Sequence, residues 1–363
     1  MNRLLVFNLA TDADDSALGF VISWIAELAK HVAALDVITM RVGRYELPPH
    51  VRVYSVGKEK GYSEPRRFIE FYRILFRLLQ ANRYDGCFAH MMPLFAVMAA
   101  PVLRLNNIPI VLWYAHKSVT WTLRIATRLV NRIVTPSPES FRLRSRNVRV
   151  IGHGIDTMRF APRSAGDSRA AFFTLLTVGR LSRIKRLEML LEAITLLRQR
   201  QPQLPLRLRI VGSTTTPDDT IYARELRQSV EQTGIHDVVD FVGSVPFHAI
   251  ETWYQQADCC INLCPTGGMD KAVLEAMSCG LLVIAVNQTF REVVGPEAAA
   301  MMIIQPDPEQ LAERLLVFAT MPWEQRQQLG RTLRDRIIQY HDLRRLCERL
   351  FDQFQMISSF NVE

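Results

Sequence analysis

Short apolar runs alternate with amphipathic stretches along the whole chain, the pattern of parallel βα units, and no other feature narrows the fold as far. RLLVFNLA (3–10), LDVITM (35–40), VRVYSV (51–56), YDGCFAH (84–90), PIVLWYAH (109–116), RIVTPS (132–137) and VRVIGHGID (148–156) read as strands, with helices expected near 17–33 and 65–82. The polar stretch APRSAGDSRA (161–170) reads as a linker. Beyond it FTLLTVGR (173–180), LRLRIVG (206–212), VVDFVG (238–243), CCINLCP (259–265), LLVIAV (281–286) and AMMIIQ (300–305) form a second series, with helices near 185–200, 220–234, 246–256, 271–279 and 307–319. At roughly 150 residues per domain, 363 residues make two domains. The expected class is α/β, with two successive doubly wound units. In open parallel sheets ligands bind at the carboxyl ends of the strands, so chemistry is sought in those loops.

The longest apolar run, MMPLFAVMAAPVL from Met91 to Leu103, holds two prolines and falls short of the roughly 20 residues that span a bilayer, so no transmembrane helix is expected. The N-terminus MNRLLVFNLATDADD turns acidic too early for a signal peptide, and the six cysteines read as reduced thiols. A cytoplasmic protein is the expectation. Residues 1–160 hold 22 lysines and arginines against 12 aspartates and glutamates, whereas the remainder holds 22 against 24. Such asymmetry points the first half toward an anionic partner, with a merely basic surface as the alternative. Nucleic acid is ranked last, because no binding motif accompanies the charge. At 48% hydrophobic and 22% charged, the composition excludes a disordered or fibrous chain.

Two loops stand out. VGRLSRIKR (178–186) ends a strand at Gly179 and places Arg180 and Lys185 in a short loop that opens a helix. Helix N-termini offer unpaired amides and the positive end of a dipole, so two added cations make a site suited to a phosphate or diphosphate. A solvated, arginine-rich helix start is the other reading. In CPTGGMDKAVLEAMSCG (264–280), Gly267 and Gly268 follow a strand and Asp270 stands where a helix begins. The glycine amides are placed to meet an anion or a sugar. Glu275, inside that helix, is either an exposed helix glutamate or a carboxylate set to accept bonds from two vicinal hydroxyls, as on a ribose.

Taken in order, VGRLSRIKR, IVGS, FVGSVPFHAIETWYQQADCCINL and LEAMSCGLLVIA resemble the GT-B glycosyltransferases, most nearly retaining family 4, over roughly 172–320. In the first half the resemblance rests on the loop after the first strand, YAHKS and IGHGIDTMRF. It implies two Rossmann-like domains facing each other across a cleft. Residues 1–160, completed by the C-terminal helix about 340–363, would bind the acceptor, and residues 161–339 the donor. The implied activity moves a sugar from a nucleotide-diphosphate sugar, such as a UDP- or GDP-sugar, to a glycan, a lipid-linked saccharide or a small molecule, as in polysaccharide biosynthesis. Retention of configuration is implied, with neither metal nor cofactor. Arg180 and Lys185 match the pair that holds the donor diphosphate and stabilises it as it leaves. Glu275 matches the second glutamate of the family's paired motif, which binds the nucleotide ribose. His116 matches a histidine that hydrogen-bonds to the reacting sugar, and Gly19 a glycine that admits a donor phosphate or an acceptor. Gly179, Gly267 and Gly268 complete the expected donor site. This chain departs from the pattern at the first glutamate, whose position is Gly267, and at the glycine three residues later, which is Asp270. Asp270 is expected to supply a hydroxyl acceptor and Lys271 a phosphate contact; an aspartate at a helix start also serves simply as a cap.

Asp12, Asp14 and Asp15 invite a metal reading, but acids before a helix are ordinary capping partners and that reading is preferred. His153 sits at the expected interdomain turn. Cys259, Cys260 and Cys264 match no zinc spacing and read as core. The helix near 65–82 sets Phe68, Phe71, Tyr72, Leu75, Phe76 and Leu79 near one face, read as core. Its arginines 66, 67, 73 and 77 are left for peripheral contact with an anionic membrane, at the inner face. Three other classes remain: a non-catalytic GT-B binding protein, a GT-B nucleotide-sugar epimerase, and an oxidoreductase. The last would need a G-x-G-x-x-G turn, which NLATDADDSALG lacks.

Overall fold

A computed structural model describes residues 1–163, 171–265, 268–303 and 307–360. The chain divides into two compact units. The first comprises Met1–Gly154, Pro246–His248 and the chain from Leu343 onward. It contains β1 (Arg3–Thr11), α1 (Val21–Ala29), β2 (Ala34–Val42), β3 (Val51–Ser55), α2 (Glu64–Ala81), β4 (Gly86–His90), α3 (Pro93–Leu105), β5 (Ile110–Trp113), α4 (Trp121–Leu129), β6 (Arg132–Thr135) and β7 (Val148–Val150). The strands form one parallel sheet in the order β3-β2-β1-β4-β5-β6-β7, with Leu5 opposite Asp36 and Phe7 opposite Ile38.

The second unit, Ile155–Val245 with Ala249–Asp342, contains β8 (Phe173–Val178), α5 (Leu187–Arg200), β9 (Leu206–Val211), α6 (Pro217–Thr233), β10 (Val239–Gly243), α7 (Ile250–Gln255), β11 (Cys259–Asn262), α8 (Lys271–Ser278), β12 (Leu282–Ala285), α9 (Phe290–Val294), α10 (Ala298–Met301), α11 (Pro308–Thr320) and α12 (Trp323–Tyr340). Its five parallel strands run β10-β9-β8-β11-β12. The last helix, α13 (Leu343–Phe360), belongs to the first unit.

The central strands β1, β4, β5, β8, β11 and β12 are mostly apolar and buried, as strands covered on both faces are, whereas β9 alternates leucine with arginine and the edge strands β3, β7 and β10 are part-exposed. Along β1 the pleat sends Leu5 and Phe7 to one core, shared with Phe71, Leu75 and Leu78 of α2, Phe95 of α3 and Leu123 of α4. Leu4 and Val6 go to the other, shared with Trp24 and Leu28 of α1 and with Leu346, Leu350 and Phe354 of α13. The 3–4 spacing of Leu343, Leu346, Cys347, Leu350 and Phe354 gives α13 the stripe that seats it there. Asp36, 1% exposed in β2, is answered by the Arg3 guanidinium at 2.8 Å and the Tyr84 hydroxyl at 2.8 Å, as a buried carboxylate must be.

Two sequence expectations change, one in the strand 300–305 and one on α2. Residues 300 and 301 of the expected strand 300–305 are taken up by α10, and only Met302 bridges to Ala285; residues 304 and 305 lie outside the described residues. The run 91–103, to which no element was assigned, holds most of α3: Pro93 opens the helix, where its missing N–H costs nothing, and Pro101 lies inside it. On α2, Phe71, Ile74, Leu75 and Leu78 are buried, but Phe68 and Phe76 are exposed rather than core. At about 100° per residue Phe76 lies roughly 140° round the helix from Phe71, too far to share one contact face. Among the described residues no helix is long and apolar enough to cross a membrane.

Candidate functional site at the carboxyl edge of the five-stranded sheet

The loop from β8 into α5 is set by two glycines. Gly179 has φ +138° and its N–H donates to the Val211 carbonyl at 2.9 Å; Gly212, after β9, has φ +147°. A Cβ on Gly212 would collide with the Gly179 carbonyl, so the two strand ends meet backbone to backbone. Lys185 then folds over Gly179: its Cε and Nζ lie 3.3 Å from the place a Cβ on residue 179 would occupy. Leu181 and Ser182 are buried and anchor the loop, which closes as a single 3-10 turn over Arg183–Lys185. The Ser182 hydroxyl has no hydrogen-bond partner among the described residues.

Lys185 Nζ reaches the Asp270 carboxylate at 2.7 Å, with the two side chains 17% and 31% exposed. The same Asp270 oxygen accepts from Asn262 Nδ2 at 2.8 Å, while the other accepts from the Ala272 N–H at 3.2 Å, so Asp270 caps α8 as well. Asn262 ends β11, and its Oδ1 accepts from the Cys264 N–H. Burial opposes charge on both members of the pair. Each offsets this for the other, so the Lys185 pKa is raised and the Asp270 pKa lowered. A fixed, charged lysine therefore stands where β8 and β11 end.

One turn along α8, Glu275 is 7% exposed and accepts from the fully buried Tyr254 hydroxyl at 2.9 Å, so it is no exposed helix glutamate. Burial raises its pKa above the ordinary glutamate value; Lys271, one turn earlier, works against that rise. Burial in turn pushes the Lys271 pKa well down, with Glu275 and Asp270 opposing it. The Gly268 carbonyl accepts from Asn287 at 3.4 Å, whereas Gly267 lies outside the described residues.

Arg180 turns the other way along the sheet edge. It donates from Nη1 to Thr215 Oγ1 at 3.3 Å, and its Nε lies 3.8 Å from Asp219, with the side chain half exposed. Asp219 closes the capping box of α6 by accepting from the Thr215 and Thr216 N–H groups. Lys185 and Asp270 are thus paired beside Gly179, Lys271 and Glu275 of α8 feel each other and Asp270 electrostatically, and Arg180 lies on the β9 side. Sequence reasoning missed Asn262, Tyr254 and Ser182. The signal for Asn262 was present, since it is the lone polar side chain at the end of CCIN; that for Tyr254 was not, since it lies 21 residues from the glutamate it binds.

The other expected residues lie in the first unit. His116 is exposed, three residues beyond β5, and its Nδ1 accepts from the Ser118 N–H at 3.1 Å, so a neutral ring carries its hydrogen on Nε2. The Tyr114 hydroxyl donates to the Ser118 carbonyl at 2.7 Å and fixes this turn. Gly19 is enclosed: a Cβ would stand 2.7 Å from the Asp15 carbonyl and 2.8 Å from Phe247 Cβ, so packing alone requires glycine there. His153 is buried beside Trp24 and Trp113. Asp14 pairs with Arg44 at 2.6 Å, Arg41 pairs with Asp15 and lies 3.5 Å from Asp12, and the Arg44 hydrogen bond holds the Asp14 pKa below the usual carboxylate value. Among the described residues no group of three or more His, Cys, Asp or Glu side chains is arranged to hold a metal ion. Cys259 and Cys260 are buried, whereas Cys264, read as core, is part-exposed where β11 has ended.

Residues 173–320 match the family described as glycosyl transferases group 1. The D-inositol 3-phosphate glycosyltransferase of Paenarthrobacter aurescens is 29% identical over 140 residues, 37% of this chain and 33% of that protein. Matches to the curated relatives span about a third to a half of those proteins' length. Over nearly the whole chain the fold is shared with Anabaena HepE, solved in complex with UDP (TM-score 0.74, 16% identity, 98% of this chain and 100% of that one). It is shared equally with sucrose-phosphate synthase of Thermosynechococcus elongatus (TM-score 0.75, 18% identity, 99% and 100%). Both units are those of the GT-B fold.

Proposed function

We propose that this chain, whose residues 173–320 belong to the glycosyl transferases group 1 family, moves a sugar from a nucleotide-diphosphate sugar to a hydroxyl acceptor with retention of configuration. The observation that carries the reading is the fixed Lys185 over Gly179, held by Asp270 at the start of α8. Breaking a sugar–phosphate bond builds negative charge on the leaving diphosphate. A preorganised ammonium beside helix-terminal amides stabilises that charge where it forms, without a metal. Arg180 supplies the second cation from the β9 side, and Lys271 a third contact. Glu275, oriented by Tyr254, accepts from the ribose hydroxyls of the nucleotide. Asp270 stands in for the absent first glutamate, offering a carboxylate to a sugar hydroxyl while it positions Lys185. His116, whose neutral ring carries its hydrogen on Nε2, offers a donor to a sugar hydroxyl. HepE is solved with UDP and with UDP and glucose, which favours UDP as the nucleotide to try first.

Thermal melts with UDP, GDP and ADP test this, on the wild-type chain and on Lys185→Ala. A ligand at 100 times its dissociation constant adds roughly 2.7 kcal/mol to the folded state. One of the three is expected to raise the wild-type melting temperature and to leave that of Lys185→Ala unchanged. No response from the wild type to any nucleoside diphosphate would sink the transferase reading. Turnover of the matching nucleotide sugar, with the anomeric configuration of the product read by NMR, tests retention.

A further inference from the structure

Helices α2, α3 and α4 cover one face of the seven-stranded sheet, and together they carry seven arginines against two glutamates and no other charged residue. Both glutamates lie on α2: Glu70 pairs with Arg73 at 2.7 Å, and Glu64 lies 3.7 Å from Arg67. Among the described residues Arg66 meets only the ring of Tyr62, and Arg77, Arg124 and Arg128 pair with no carboxylate. Between these guanidinium groups the outward side of α2 presents large apolar side chains to solvent: Ile69 is 66% exposed, Phe68 52% and Phe76 46%. Phe68, Tyr72 and Phe76 form a ladder along the helix, with ring centroids 5.0 and 5.9 Å apart. The ladder is fixed where the Tyr72 hydroxyl donates to the Met98 carbonyl of α3. Trp121, the first residue of α4, is 68% exposed.

We propose that this face is a docking surface for an anionic lipid bilayer, with Phe68, Ile69 and Phe76 entering the headgroup level and Arg66, Arg73 and Arg77 meeting lipid phosphates. The inner side of α2 is already fully used by core contacts, so folding gives no reason for aromatic rings on its outer side. An exposed row of rings flanked by arginines suits a plane of phosphates over an apolar interior. Charge complementarity selects the surface. An anionic leaflet attracts each nearby arginine, while a protein partner would need acidic side chains matched to these arginines one by one. The inference stands apart from the transferase reading, and its assay uses no nucleotide.

Co-sedimentation of the full chain with vesicles of phosphatidylcholine, with and without phosphatidylglycerol, tests it. Binding is expected only to the anionic vesicles, and to fall as salt rises from about 0.1 M to about 1 M and screening shortens. Arg66→Gln/Arg73→Gln/Arg77→Gln should lower partition roughly hundredfold, about fivefold per arginine, while the corresponding lysine triple keeps most of it. Ile69→Trp, at an exposed site, should show blue-shifted emission on anionic vesicles. Equal sedimentation with both vesicle types, no sedimentation with either, or wild-type binding by the glutamine triple would each overturn the proposal. An Ile69→Trp spectrum unmoved by bound vesicles would overturn it too, by placing the contact elsewhere.

Discussion

At the carboxyl edge of the five-stranded sheet, Lys185, Asp270 and Asn262 converge from the loops after β8 and β11 into a part-buried network. At the same edge of the seven-stranded sheet, Asp12, Asp14 and Asp15 are neutralised by Arg41 and Arg44, and His116 is exposed on a turn held by two hydrogen bonds. The two sheets share a parallel, doubly wound plan and differ in what their loops fix. The second unit holds its charges on glycine-tight strand ends and a helix start, the preorganised kind of arrangement that a phosphate-sized anion would require. In the first unit the strong contacts run inward to the two cores, and the loops at the sheet edge carry local ion pairs. The family match covers 173–320 and takes in only Pro246–His248 of the first unit.

The largest expected effect tests whether the two units are separately built. Leu346→Ala, at a fully buried α13 position, should cost the first unit about 2–5 kcal/mol in denaturant unfolding and leave nucleoside diphosphate affinity unchanged. A parallel loss of affinity would break the comparison. Next, Lys185→Ala should weaken nucleoside diphosphate binding about a hundredfold, roughly 2.7 kcal/mol, as read by calorimetry.

Glu275→Gln should weaken that binding about tenfold, roughly 1.4 kcal/mol. It also has a pH signature. Because burial raises the Glu275 pKa in the folded state, the neutral form is favoured there, and its stabilising contribution is present below the ordinary glutamate value and lost as pH rises through the raised one. Asp270 has the opposite sign: with a lowered pKa, its contribution is present above the ordinary aspartate value and lost as pH falls through the folded one. Melts from acid to neutral pH should therefore flatten on the alkaline side for Glu275→Gln and on the acid side for Asp270→Asn. The reverse assignment would refute the charge states argued for the site.

Gly179→Ala should cost about 1 kcal/mol or more, since its φ of +138° strains any L side chain and the new methyl presses on Lys185. The smallest effect on binding is expected for His116→Ala, which should leave nucleoside diphosphate affinity within about twofold of wild type while lowering the transfer rate. An affinity loss equal to that of Lys185→Ala would erase the distinction between the two edges.

Most strands were legible because a strand covered on both faces has to be apolar throughout, and β1, β8 and β11 read that way in RLLVFNLA, FTLLTVGR and CCIN. The helices α3, α4 and α12 were not. PLFAVMAAPVLRL has no polar face to give a period, and WEQRQQLGRTLRDRIIQY buries only Gly330, Leu333 and Ile337. What seats α12 is long range: Gly330 lies against the Gly280 carbonyl, and Arg334 donates to the carbonyls of Thr157, Phe160 and Ser278. The glycine and cation positions of the candidate site were visible, because glycine conformation and helix starts are local matters.

The sequence by itself determined two parallel α/β sheets, the loops in which Arg180, Lys185 and Asp270 stand, and the charge excess of the first half. Tertiary structure alone decided that Lys185 spends its charge on Asp270, 85 residues away, that Glu275 is buried against Tyr254, and that the aromatic stripe of α2 divides into a buried side and an exposed one. Local periodicity and backbone preference act over a few residues and so can be read along the chain. Ion pairing and desolvation depend on distance in space, which exists only once the chain has folded.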